Sequence, residues 1–123
     1  MEMITYPRKH SEAEIQALLW YFLRKRKIDA RLQVTGYSGV SGKKSLKMDL
    51  VVFVDKIAKC IVECKSWSNG YARTAIYRTN NSKQIGKYKA MYGLPVLVCA
   101  RMNFVVPIIA QIQKIIATAN RVV

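Results

Sequence analysis

Two short apolar runs that carry acids, Met48–Val54 and Ala58–Cys64, constrain this chain more than any other feature. Both are β-branched and aliphatic, both are strand-sized, and the polar pair Asp55-Lys56 between them reads as a turn, so the economical structure is an antiparallel hairpin. Asp49 and Glu63 lie inside the runs and Lys65 follows the second. An ionised carboxylate in an apolar strand is costly unless it is paired, hydrogen-bonded or metal-bound, and two on neighbouring strands repel each other. A cation belongs between them. Glu63 and Lys65 are two residues apart and share a face, while Cys64 points the other way into packing. Two oxygen ligands beside one ammonium is the arrangement of divalent-metal sites for phosphodiester hydrolysis.

That chemistry restricts the strand register. A two-residue turn at Asp55-Lys56 pairs Val54 with Ile57 and Asp49 with Val62, which leaves Glu63 on the wrong side. A three-residue loop of Asp55, Lys56 and Ile57 pairs Val54 with Ala58 and sets Asp49 opposite Glu63. The expectation is one shared face for Asp49, Glu63 and Lys65, reached by an odd-numbered loop or by one bulge.

Charge narrows the partner. With 21 Lys+Arg against 7 Asp+Glu, the formal net charge is +14, which favours a polyanion, nucleic acid ahead of an anionic membrane surface. No apolar run approaches the roughly 20 residues of a spanning helix, and the N-terminus lacks the apolar core of a signal peptide, so no membrane role and a cytoplasmic location are expected. The 123 residues, 51% of them hydrophobic, are read as one domain, 1–123, with a single core. Cys60, Cys64 and Cys99 lie in apolar runs and form no C-x-x-C pair, as expected of buried reduced thiols. Among the seven acids, Glu2 is terminal, Asp29 follows a basic run, Asp55 sits in a turn, and Glu12 and Glu14 open a helix. Only Asp49 and Glu63 fall inside the two apolar runs of the hairpin.

Along the chain, Ser11 caps a helix running to about Arg26, with Glu14 completing a capping box. Its apolar face is Ile15, Leu18, Leu19, Phe22 and Leu23, and Glu12 is close enough to that face to look inward. The plain alternative is that both glutamates only favour the positive helix end. Arg24, Lys25, Arg26 and Lys27 close the helix as a phosphate-binding patch or as solvated charge. Ile28–Val34 reads as the first strand. Thr35–Ser45, with three glycines and Lys43 and Lys44, is a phosphate-approaching or an ordinary mobile loop. Trp67–Ser82 interleaves Arg73 and Arg78 with Trp67, Tyr71 and Tyr77, a composition suited to nucleic-acid contact or to surface packing. A helix follows from Asn81 or Ser82 to about Tyr92, with Gln84 on its flank and Gly93 as its stop. Leu94–Ala100 reads as a buried strand. Pro107 opens a helix to about Asn120 whose isoleucines are part core, with Ile109, Ile112 and Ile116 as the candidate homodimer surface.

The order helix, three strands, helix, strand, helix, with acids on the second and third strands, resembles the PD-(D/E)xK nuclease superfamily. Met48-Asp49 stands for the family's PD, without its proline, and Glu63-Cys64-Lys65 for its ExK; the likeness spans about Glu12 to Ala100. IVECKSW, then Gln84-x-x-x-Tyr88 and LPVLVCA, is similar to the N-terminal nuclease domain of type I restriction motor subunits. SEAEIQALLWYFLR resembles the opening of small replication-repair nuclease domains. The resemblance implies an α/β fold with a restriction-endonuclease-like αβββαβ core, a mixed central sheet flanked by helices. It implies Mg²⁺, with Mn²⁺ as a substitute, held by Asp49, Glu63 and the backbone carbonyl of Cys64, with Glu12 as an outer or second-metal contact. Lys65 would orient the attacking water or stabilise charge on the phosphate, and Gln84 would hydrogen-bond that water or Lys65. The function implied is a Mg²⁺-dependent endodeoxyribonuclease acting on DNA, of restriction, repair or resolvase type. Because one such site cuts one strand, a double-strand break implies a homodimer or a higher homo-oligomer. The alternative from another class is a catalytically silent nucleic-acid-binding protein on the same fold.

Overall fold

The computed structural model describes residues 3–6, 10–36, 46–65 and 92–120. Their elements are α1 (Glu12–Lys25), β1 (Asp29–Gly36), β2 (Leu46–Val54), β3 (Ile57–Cys64), β4 (Val96–Cys99), a 3-10 turn at Met102–Phe104 and α2 (Val105–Asn120). The expected helix from about residue 82 to 92 lies, except for Tyr92, outside the described residues, as do Gln84, Lys43, Lys44, Arg73 and Arg78.

Both ends of α1 are fixed by local sequence. The Ser11 hydroxyl accepts the Glu14 N–H, and the Glu14 carboxylate accepts the Ser11 N–H, the expected capping box. At the other end Lys27 takes a left-handed conformation (φ 61). Its N–H donates to the Arg24 carbonyl at 2.9 Å and that of Ile28 to the Leu23 carbonyl at 3.0 Å, a Schellman closure with lysine where glycine is usual. Between the ends, Ile15, Leu19 and Leu23 are buried, and the Trp20 indole donates to the Ala30 carbonyl at 3.0 Å.

The sheet is mixed, in the order β1-β2-β3-β4, with β1, β2 and β3 antiparallel and β4 parallel to β3. Of the two arrangements expected, an odd-numbered loop or one bulge, the β2–β3 connection takes the bulge. It is a two-residue turn pairing Val54 with Ile57, with Asp55 (φ 52) and Lys56 (φ 65) both left-handed, as a hairpin turn matched to strand twist demands. The register then shifts between Val52 and Phe53: Phe53 pairs with Ala58 but Val52 with Cys60, leaving Lys59 as an extra residue. Leu50 consequently pairs with Val62, and the next positions along the two strands are Asp49 and Glu63. One bulge restores the register that the acids require.

Both described helices pack on one sheet face. Ile15, Leu19 and Leu23 of α1 meet Ala30, Leu50, Val52, Cys60, Val62, Cys64 and Cys99 of the sheet and Val105, Ile108, Ile109 and Ile112 of α2. This corrects the proposed dimer surface: Ile109 and Ile112 are buried, and Ile116 packs partly buried against the same core. The apolar face of α2 is wide because the sheet beneath it is wide, so its isoleucines are used within the chain. The opposite sheet face gathers Met48, Val51, Ile61, Val96 and Val98, with Val34, Phe53 and Tyr92 against them. There Gly36 has to lack a side chain, because a Cβ would collide with the Tyr92 ring and hydroxyl. Among the described residues no helix is long and apolar enough to cross a membrane.

Candidate metal and phosphate site

Strands β2 and β3 part company at Asp49. Their last backbone pair is Leu50 with Val62; beyond it β2 continues against β1, with Met48 opposite Val34, and β3 continues against β4, with Glu63 opposite Val98 and Cys64 opposite Cys99. The parting would leave the Cys64 N–H without a strand partner, and the Asp49 carboxylate accepts it at 2.8 Å. On the far side of β3, the Lys65 N–H donates to the Cys99 carbonyl at 2.9 Å, so the chain is held straight through Glu63-Cys64-Lys65.

The parting is accompanied by a change of face. Gln33, which falls between the pairs Leu32–Leu50 and Val34–Met48 and so lies alongside Asp49, is left-handed at φ 53. Ala30 packs towards the helices but Val34 away from them, and on β2 Leu50 packs towards them but Met48 away. The Gln33 amide donates to the Gln16 side chain of α1 at 2.9 Å. Backbone strain of this kind concentrates at functional sites, and no turn residue in the sequence announces it.

Glu63 is only 2% exposed and is the one buried charged side chain among the described residues. Burial pushes its carboxyl up from 4.5 to about 8; the Asp49 charge and a side-chain hydrogen bond to Asp49 add to the rise, while the Asp49 N–H and the Lys65 charge oppose it. Glu63 Oε1 is buried with no hydrogen-bond partner among the described residues. Lys65 forms no ion pair with either acid, since the ion pairs among the described residues involve only His10, Glu14, Arg24, Asp29 and Arg31. No family model, curated protein or solved structure matches the chain. The site therefore rests on its own geometry: two neighbouring carboxylates, an oxygen without a hydrogen-bond partner and, two residues on, a lysine without an ion pair among the described residues.

The remaining candidates are dispersed. Glu12 is exposed on the first turn of α1 rather than turned inward; its charge reaches Cys64, which places that helix end near the site, yet no group of three acid, histidine or cysteine side chains converges among the described residues. The three cysteines are free and buried. Burial pushes their thiols up, Cys60 to about 12, Cys99 to about 11 and Cys64 further, which disfavours the thiolate and suits packing in the core. Arg24, Lys25, Arg26 and Lys27 close the opposite end of α1, a 14-residue helix and so roughly 20 Å long. Arg24, Lys25 and Arg26 each lie over an aromatic ring one turn back, and Asp29 pairs with both Arg24 and Arg31. That patch is thus partly neutralised and distant from the acids. A cation that sequence reasoning missed is Arg101, just past the carboxyl end of β4, where β4 pairs in parallel with the strand that carries Glu63; that pairing would have been the signal.

Proposed function

We propose that this chain is a Mg²⁺-dependent endodeoxyribonuclease with a restriction-endonuclease-like αβββαβ core of the PD-(D/E)xK kind. The observation that carries this reading is the buried Oε1 of Glu63, without a hydrogen-bond partner among the described residues, next to Asp49 and to a Lys65 that forms no ion pair among them. A closed salt bridge would have spent Lys65 on one of the acids; instead burial and the Asp49 charge raise the Glu63 carboxyl, a penalty that a divalent cation between the two acids would relieve. Two carboxylates offer hard oxygen ligands, which suit Mg²⁺ or Mn²⁺ rather than softer metals.

In this reading Asp49, Glu63 and the Cys64 carbonyl hold the ion, which supplies polarisation of a phosphate oxygen and a more acidic bound water. Asp49 has a second task, since its acceptance of the Cys64 N–H fixes the strand that carries the other two residues. Lys65 presents its ammonium to the charge that grows on the phosphate during attack. Gln84 hydrogen-bonds the attacking water or Lys65, and Glu12 contributes an outer contact. Arg24, Lys25, Arg26, Lys27, Lys43, Lys44, Arg73 and Arg78 hold the DNA backbone, and a homodimer makes double-strand breaks, in the cytoplasm.

Incubation of the purified protein with linear duplex, single strands and four-way junctions, in Mg²⁺ and in EDTA, tests the proposal. Cleavage in Mg²⁺ that EDTA stops and Glu63→Gln removes is expected. Tight binding of all three without cleavage in Mg²⁺ or Mn²⁺ would instead make the chain a silent nucleic-acid-binding protein.

A further inference from the structure

From the parallel pairing of β3 with β4, we infer that Arg101 is a phosphate-binding residue of this site, gripping the phosphate next to the one presented to Asp49 and Glu63; the inference rests on the proposed nucleic-acid reading.

Three observations converge on it. Cys64 pairs with Cys99 and the Lys65 N–H donates to the Cys99 carbonyl, so Lys65 and Arg101 leave adjacent strands at the same carboxyl end of the sheet. Ligands of α/β sheets bind at such strand ends. Arg101 remains extended (φ −154, ψ 156), so it continues the alternation of β4. Cys99 and Cys64 pack towards the helices whereas Glu63 faces the other way with Lys65. The two cations therefore straddle the end of the sheet, one on the side of the acids and one on the side of the helices.

The second observation is that the Arg101 guanidinium is uncommitted among the described residues. Every other described arginine spends its guanidinium inside the chain: Arg24 and Arg31 on Asp29, Arg26 on the Phe22 carbonyl. Arg101 has no carboxylate or carbonyl partner among the described residues.

The third is that it is held in place. Its guanidinium lies 5.6 Å from the Phe104 ring centre, and the residue is half-buried. Stacking on an aromatic face orients the group without consuming its in-plane donors, the geometry that recognises phosphate bidentately. Two carboxylates at the site would repel a phosphodiester, and a fixed guanidinium on the other side of the strand ends offsets that repulsion.

The test compares duplex binding in Ca²⁺ across a salt series, alongside cleavage in Mg²⁺, for the wild type, Arg101→Gln, Arg101→Lys and Arg31→Gln. Loss of one charge-assisted phosphate contact should weaken binding by Arg101→Gln about ten-fold or more and reduce the slope of log K against log salt by about 0.9. Arg101→Lys should keep the slope and recover part of the affinity, which also shows that the fold survives. Arg31→Gln, on the edge strand opposite β4, should bind like the wild type. Arg101→Gln binding like the wild type, or no more weakly than Arg31→Gln, would overturn the assignment. A wild type that binds without cutting would defeat the nuclease reading alone and leave the Arg101 comparison valid.

Discussion

The Asp49 carboxylate accepts the backbone N–H of Cys64 at 2.8 Å, so a side chain continues the ladder between β2 and β3 where their backbones separate. Substituting Asp49 therefore has two consequences that can be measured apart. Asp49→Asn keeps an oxygen for the Cys64 N–H but loses the charge; it should keep its fold, lose cleavage and still bind DNA in EDTA. Asp49→Ala leaves that N–H unmet and should in addition destabilise the protein by about 1–3 kcal/mol. Chemical denaturation beside a nicking assay separates the two, and full activity in Asp49→Asn would remove Asp49 from the chemistry.

The Glu63 carboxyl sets a pH dependence of stability. Its value is raised in the folded chain, from 4.5 to about 8, so the folded state holds the proton more tightly than the unfolded one. That stabilisation is complete below the unfolded value and is lost as pH rises through the folded value. In EDTA the melting temperature should fall across this window, and Glu63→Gln should flatten the fall and melt higher at its alkaline end. A wild type that gains stability over the window would contradict the burial and pairing described for Glu63.

How far these features could be read from sequence differs from residue to residue. The hairpin was legible because strand-length β-branched runs and buried acids restrict each other: chemistry demanded that Asp49 and Glu63 share a face, and one bulge was among the few ways to arrange it. Which way was not legible, since Asp55-Lys56 lacks the glycine that marks a two-residue turn and nothing in the sequence singles out Lys59 as the extra residue. The capping box of Ser11 and Glu14 was legible because capping is local. The fate of Ile109 and Ile112 was not, because an apolar helix face looks the same whether a sheet of the same chain or a second copy covers it. Arg101 stayed hidden for a similar reason: its place beside Lys65 exists only once β3 and β4 pair.

The turn itself offers a stability test. Lys56 pays for a left-handed backbone (φ 65) that glycine adopts freely. Lys56→Gly should raise stability by about 0.5–1 kcal/mol without affecting cleavage. A loss of stability would show that the turn is not of this type.

Burial of Ile112 leads to another. Ile112→Ala should cost about 2–5 kcal/mol, as large-to-small changes in a packed core do, and the cost should be independent of protein concentration. Dependence on concentration would return this helix face to the role of a subunit interface.

The orphaned oxygen of Glu63 is most directly tested by titrating Mg²⁺ into the metal-free protein at the alkaline end of the Glu63 window, by calorimetry, for the wild type, Asp49→Asn and Glu63→Gln. One ion per chain for the wild type, with protons released on binding and binding lost in both variants, is the predicted result. No binding by a folded wild type, or equal binding by all three proteins, would contradict the account.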